Sequence, residues 1–155
     1  MSYPEYQNDL NQIYESEIMG EILFAMAARL TWSAQRRRKW LQLRDLETRT
    51  KERLLDFLLQ QQQQASLSGF VKVRGCCYGL LLGLLPWLKS MRLLEHATVP
   101  FLKIYKRLEV HADEQSREFF SYVVAHEEAI AAFARLERAG RPEHSTQAVA
   151  ELLLR

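Results

Sequence analysis

The chain has 155 residues, 48% of them hydrophobic, with only six glycines and four prolines. This length suits a single domain covering residues 1–155, and so few breakers argue against a sheet protein rich in turns. With 21 basic and 19 acidic side chains the net charge is +2, a balance that does not favour nucleic acid as a partner.

The first half of the chain predicts two long helices joined by a short turn. Apolar residues recur every three or four positions from about residue 9 to 30 and again from about 34 to 63. Ser33 is suited to cap the second helix, because its hydroxyl oxygen can accept a hydrogen bond from a free backbone N–H. Residues 66–69, which contain two serines and a glycine, form the first clear linker.

The second half predicts two further long helices and a short one. Helix three extends from about residue 70 to 110, but Pro86 should kink or break it, because proline lacks the backbone donor and crowds the preceding turn. Asp113 is a good cap for helix four, from 114 to about 139. A short C-terminal helix covers 146–154. No window shows the alternation of a strand, so the fold class is all-α.

Each of the four long helices carries glutamate on its apolar face. Steps of three and four residues trace stripes that are apolar apart from two threonines and from Glu21, Glu47, Glu95 and Glu127, with Glu17 as a second carboxylate in helix one. Burying an unpaired carboxylate costs several kcal/mol or forces it to take up a proton. Two cations bridged by the carboxylates would compensate this cost, and so would buried arginines. The stripes leave both explanations open.

Four stretches around these glutamates share a recognisable pattern. They are Glu17-Ile-Met-Gly-Glu21, Leu46-Glu47-Thr-Arg-Thr50, Leu94-Glu95-His-Ala-Thr98 and His126-Glu127-Glu-Ala-Ile130. The set resembles the ferritin-like carboxylate proteins, most closely the rubrerythrin group and the demethoxyubiquinone hydroxylases. The resemblance implies a four-helix bundle with a long crossover between helices two and three and a short C-terminal helix. It also implies a site for two iron or manganese ions, with one Glu from helices one and three and Glu-x-x-His from helices two and four.

The chain departs from that family pattern at both histidines. They should fall at Thr50 and Ile130, and neither side chain can replace an imidazole ligand. His126 adjoins Glu127 but points about 100° away on an ideal helix, so we expect it at a seam between helices unless helix four is rotated. The predicted metal ligands are Glu21, Glu47, Glu95 and Glu127, with Glu17 and His126 as additional candidates.

Two functions follow from this degenerate site. The favoured one is an interaction or scaffold protein that binds metal weakly or not at all. The alternative is a carboxylate-bridged oxidoreductase or hydroxylase that holds two ions of iron or manganese and acts on an apolar substrate. Oxygen ligands suit manganese and can hold iron, but affinity for Fe(II) should fall without imidazole.

The segment 75–88 is apolar and uncharged over fourteen residues, and basic residues bracket it. A spanning helix needs about 20 such residues, so the segment predicts a buried central helix, or else a surface for an apolar ligand or a membrane. Leu152–Leu154 should dock on the bundle or on a second subunit. Cys76 and Cys77 are adjacent and predict two buried, reduced thiols. With no secretory signal at the N-terminus, we expect a cytoplasmic protein, peripheral to the membrane if 75–88 contacts lipid.

Overall fold

The computed structural model describes residues 3–155 as a set of packed α-helices. The helices are α1 (Tyr6–Leu30), α2 (Ala34–Gln60), α3 (Val71–Leu84), α4 (Trp87–Val110), α5 (Glu114–Arg138) and α6 (Gln147–Leu153). No strand occurs within the described residues, so the all-α prediction is confirmed. Ser33 and Asp113 cap α2 and α5 as expected, since each side chain accepts a hydrogen bond from the backbone N–H three residues on.

Four helices, α1, α2, α4 and α5, surround one core, and side-chain pairs between their ends show how they run. Asp9 near the start of α1 binds Arg107 near the end of α4. Lys39 near the start of α2 likewise binds Glu137 near the end of α5. Because a three-residue turn makes α1 and α2 antiparallel, α1 and α5 run one way while α2 and α4 run the other. The chain must therefore cross the length of the bundle between α2 and α4, and residues 61–86, including α3, make that crossing.

Helix α3 packs against the outside of α1 through its glycines. Gly75, Gly79 and Gly83 face successive turns of α1, and a Cβ added at Gly79 would lie only 2.6 Å from the carbonyl oxygen of Leu23. The two helices therefore run parallel with their backbones in close approach. Pro86 separates α3 from α4 and occupies the N-cap of α4, which confirms the predicted break.

The larger side chains of the 75–88 segment point outward, so the prediction of a buried central helix is wrong. Leu84 is 71% exposed and Leu88 is 59% exposed. Cys77, expected to be buried, is also exposed, while Cys76 is half-buried and both thiols are free. The glycines face α1 because only a residue without a side chain allows the two backbones to approach so closely, and most of the leucines are therefore turned outward. Among the described helices, none is long and apolar enough to span a bilayer.

Aromatic side chains fill the core at both ends of the bundle. Trp40 packs on Phe24 and Phe133 at one end. Phe57 packs on Phe120 at the other. Between these two groups the core also contains buried polar side chains, which are described next.

Candidate metal centre

Three buried side chains from three helices meet at the middle of the core. Glu17 comes from α1, Glu47 from α2 and His126 from α5, and one ligand atom of each lies within 4.8 Å of the others. Nδ1 of His126 is 3.7 Å from Oε1 of Glu17, and Nε2 is 3.5 Å from Oε2 of Glu47. These separations exceed those of good hydrogen bonds. One ion can bind only one of the two ring nitrogens, and a single ring nitrogen lies with one oxygen of each carboxyl group inside the 4.8 Å set.

Several atoms of this group have no hydrogen-bond partner among the described residues. They are Oε2 of Glu17 and both ring nitrogens of His126, and Glu17 and His126 have no exposed surface at all. Buried polar atoms nearly always have a partner, because each orphan costs about 1–3 kcal/mol. A divalent metal ion would engage carboxylate oxygens and one imidazole nitrogen at the same point. The donor set therefore fits a metal ion.

Burial sets the protonation of these groups. It raises the pKa of Glu17 to about 8 and raises the pKa of Glu47 well above its usual range, with repulsion from Glu17 adding to the effect. Burial also lowers the pKa of His126 to about 3, so the imidazole is neutral at pH 7. Neutral imidazole is the form that ligates a metal. Both carboxyl groups, in contrast, must give up their protons when an ion binds.

Glu127 adds a third carboxyl group next to the cluster. Burial raises its pKa well above the usual range, and the charge of Glu17 contributes in the same direction. Glu47 and Glu127 both line a cavity of about 70 Å³ whose remaining walls are largely apolar, including Phe101 and Ile130. The cavity has room for a small molecule beside the carboxylates.

Gly20 and Tyr105 shape the surroundings of the cluster. A Cβ at Gly20 would lie 2.5 Å from Cδ of Glu47, so the absence of a side chain there lets the carboxyl group rest against α1. The hydroxyl of Tyr105 donates to Oε1 of Glu17 at 3.3 Å and shares a 2.5 Å hydrogen bond with Oγ of Ser16. Tyr105 lies in α4, on the apolar stripe of the predicted third helix, so its position inside could be predicted from the sequence. Nothing in the sequence signals the role of Gly20.

The structure brings together only part of the predicted ligand set. Glu47 and Glu127 are at the centre, as are the additional candidates Glu17 and His126. Glu21 instead binds Lys51 and accepts a hydrogen bond from Thr48 at 2.7 Å. Burial acts to raise the pKa of Glu21, but these two partners lower it below its usual value.

Glu95 lies farther from the centre, where it pairs with Arg138 at the surface. Pairing with a cationic side chain, one of the two kinds of compensation left open by the stripes, therefore applies to two of the five glutamates. Glu21 and Glu95 are compensated by cationic side chains, while Glu17, Glu47 and Glu127 are not.

The two positions where the family pattern has histidine remain inside the bundle. Thr50 is buried and shares a hydrogen bond of 3.2 Å with the hydroxyl of Tyr122. Ile130 lines the cavity. The inward position of His126 follows from the wide buried arc of α5, whose buried residues include His126 and Glu127 side by side. His126 was expected at a seam between helices unless helix four is rotated, and it lies inside with Glu17 and Glu47, the inward position left open by that condition.

Comparison with known proteins does not identify the chain. No family model matches it, and no curated protein or solved structure is significantly similar to it. A fold by itself does not determine a function, so the function must be argued from the residues of the site.

Proposed function

We propose that this protein is a ferritin-like bundle that binds one divalent transition-metal ion in its core, with Glu17, Glu47 and His126 as ligands. The observation that carries the proposal is the convergence of three buried side chains that retain unpartnered polar atoms. In a metal-free scaffold, the function favoured from sequence, those buried atoms would stay unpartnered and would lower the stability of the fold. An ion bound to Glu17, Glu47 and one ring nitrogen of His126 would give most of them a partner.

The order of the helices supports the ferritin-like assignment. Helices α1 and α5 run one way and α2 and α4 the other, which is the arrangement that one long crossover produces in a four-helix bundle. The crossover itself contains a helix, α3. Ligands projecting inward from facing helices are also how such bundles build their metal sites.

The donor set favours a single ion of iron or manganese. Carboxylate oxygens suit manganese and can hold iron, and one imidazole raises the affinity for Fe(II). A two-ion site of this kind takes a carboxylate from every helix and two histidines. Here Glu95 of α4 points outward and pairs with Arg138, and Tyr105 of the same helix lies inside. The carboxylate that α4 would supply to a two-ion site is therefore missing. Glu127, which lines the cavity together with Glu47, would be a further carboxylate beside the site.

The activity class that we propose is an oxidoreductase. Iron or manganese held by carboxylates and imidazole supplies one-electron redox chemistry toward small oxidants. The chain's own residues exclude bulk water, hold the imidazole neutral, and keep a mostly apolar cavity of about 70 Å³ beside Glu47 and Glu127. That volume suits a diatomic or triatomic molecule.

Metal loading tests the proposal directly. Protein purified without chelator is loaded anaerobically with Fe(II) or Mn(II), freed of excess ion, and assayed by elemental analysis. We expect about one ion per chain in the unaltered protein and in the control E21Q, and less than a tenth of that in E47Q and H126L. Circular dichroism checks that each variant is folded. Equal metal content in the unaltered protein and E47Q would refute the proposal.

A further inference from the structure

Helix α3 buries Val71 and Leu82 but exposes most of its other large apolar side chains, while Gly75 and Gly79 are buried against α1; an ordinary surface helix turns polar residues outward. The exposed residues follow one another at steps of three and four, which places them on one face. This outward apolar face consists of Phe70, Val73, Cys77, Leu80, Leu81, Leu84 and, past the break, Leu88. Four of the seven are at least 59% exposed. The stripe continues along the whole helix, so it is a built surface and not a scatter of single residues.

Basic side chains lie at both ends of this face, and the segment that carries the face contains no acidic residue. Lys72 and Arg74 lie at one end and Lys89 and Arg92 at the other, all four exposed. Between residues 57 and 94 the sequence contains no aspartate or glutamate. The chain as a whole is nearly neutral, so the separation of charge is local to this region.

We propose that the outward apolar face of α3 docks on an anionic lipid bilayer, with α3 lying in the plane of the interface. An apolar stripe edged by Lys and Arg is the pattern of helices that lie at membrane surfaces, where anionic head groups attract the cations. The 14 residues of α3 are too few to cross a bilayer, which leaves the interfacial position. The proposal is independent of the metal centre.

Charge complementarity favours the bilayer over a second copy of the chain. In a two-fold dimer the same patch would contact itself, and the four cations would face like charges. A bilayer containing acidic phospholipid supplies the opposite sign across the whole face. Each cation should strengthen binding by about fivefold near such a surface.

Vesicle co-sedimentation tests this proposal with the full chain. Vesicles of phosphatidylcholine alone are compared with vesicles containing about one third phosphatidylglycerol, at low and high salt. We expect binding to the anionic vesicles, weakened at least tenfold by L84D and on the order of 25-fold by the double variant K72Q/R74Q. The matched control is L59D, because Leu59 is 78% exposed near the end of α2, outside the face. We expect L59D to bind within twofold of the unaltered protein.

Three outcomes would overturn the proposal. One is the absence of binding to anionic vesicles by the folded, unaltered protein. Another is equal loss of binding in L84D and L59D, which would show that the effect does not belong to this face. The third is a dimer, detected by analytical ultracentrifugation and dissociated by L84D, which would assign the face to a second copy. Metal content is unaffected in every case, so failure here leaves the metal proposal standing.

Discussion

Replacing Glu17 with glutamine should stabilise the metal-free protein, although the residue lies at the centre of the core. The glutamine keeps the shape of the side chain, and its carbonyl oxygen can still accept the hydrogen bond from Tyr105. It removes the need to hold a carboxyl group without water. A residue that binds an ion well is a burden when the ion is absent, so the substitution separates function from stability.

The sign and size of the effect follow from the pKa of Glu17. Burial raises it from 4.5 in the unfolded chain to about 8 in the folded one. Above pH 4.5 the unfolded chain loses this proton while the folded chain keeps it, so folding stability falls as the pH rises. Each pH unit in that window costs about 1.4 kcal/mol, which amounts to about 3 kcal/mol by pH 7. The free energy of unfolding of E17Q should therefore equal that of the unaltered protein near pH 4.5 and exceed it by about 3 kcal/mol at pH 7.

Urea unfolding of chelator-treated protein at pH 5, 6, 7 and 8 measures the difference. The control is E21Q, one helical turn away, where the carboxylate binds Lys51 and its pKa is lowered. That variant should be slightly less stable than the unaltered protein above pH 5, by less than about 1 kcal/mol, because a half-exposed ion pair contributes little. At pH 7, E17Q should therefore raise the free energy of unfolding and E21Q should lower it slightly.

Adding Mn(II) at pH 7 should make the unaltered protein more stable than E17Q. The unaltered protein gains about 4 kcal/mol at 1,000 times its dissociation constant, whereas E17Q gains little. A stability difference between E17Q and the unaltered protein that is the same at pH 5 and pH 8 would refute the reasoning about protonation. So would a loss of stability in E17Q at pH 7 without metal.

Three further predictions rest on other parts of the structure. G20A should lower metal affinity at least tenfold with the helical content unchanged, because the added Cβ would meet the carboxyl group of Glu47. G69A is the control, since a Cβ there meets nothing within 4 Å. Equal dissociation constants for the two variants, measured by equilibrium dialysis, would contradict the prediction. Binding of one ion at pH 7 should release between one and two protons, measured by calorimetry in buffers of different ionisation enthalpy, because the carboxyl groups start protonated and the imidazole does not. K39M should lower the free energy of unfolding by about 3 kcal/mol in thermal denaturation, because it leaves Glu137 buried without its cation; a loss below 1 kcal/mol would show that the pair contributes little.

The helices could be predicted from sequence because their signals are local. Hydrophobic periodicity and the caps at Ser33 and Asp113 set the bounds of α2 and α5, and Pro86 marked the break after α3. Such signals depend only on neighbouring residues, and they survive in the folded chain. The presence of carboxylates inside the bundle was also readable, since the stripes carried them.

The choice between neighbouring carboxylates could not be made from sequence. Glu17 and Glu21 lie on the same stripe of α1, and only the position of Lys51 on α2 decides which of them turns away from the centre. His126 and Glu127 differ by about 100° on an ideal helix, yet both are inside because α5 is buried on a wide arc. Decisions of this kind depend on contacts between helices.

The orientation of α3 was misjudged because nearly every residue in 75–88 is apolar. Without polar residues to mark an outer face, hydrophobicity cannot distinguish the two sides of the helix. The glycine spacing did carry the information, since small residues at every fourth position allow two backbones to approach. In this segment side-chain size, and not polarity, determines which face is buried.

The glycine repeat of α3 also has a mechanical consequence. Gly75, Gly79 and Gly83 are spaced by four residues, so the backbones of α3 and α1 meet along three successive turns. A Cβ at Gly79 would lie 2.6 Å from the carbonyl oxygen of Leu23, a backbone atom that cannot shift unless α1 shifts with it. The position of α3 is therefore coupled directly to the helix that carries Glu17.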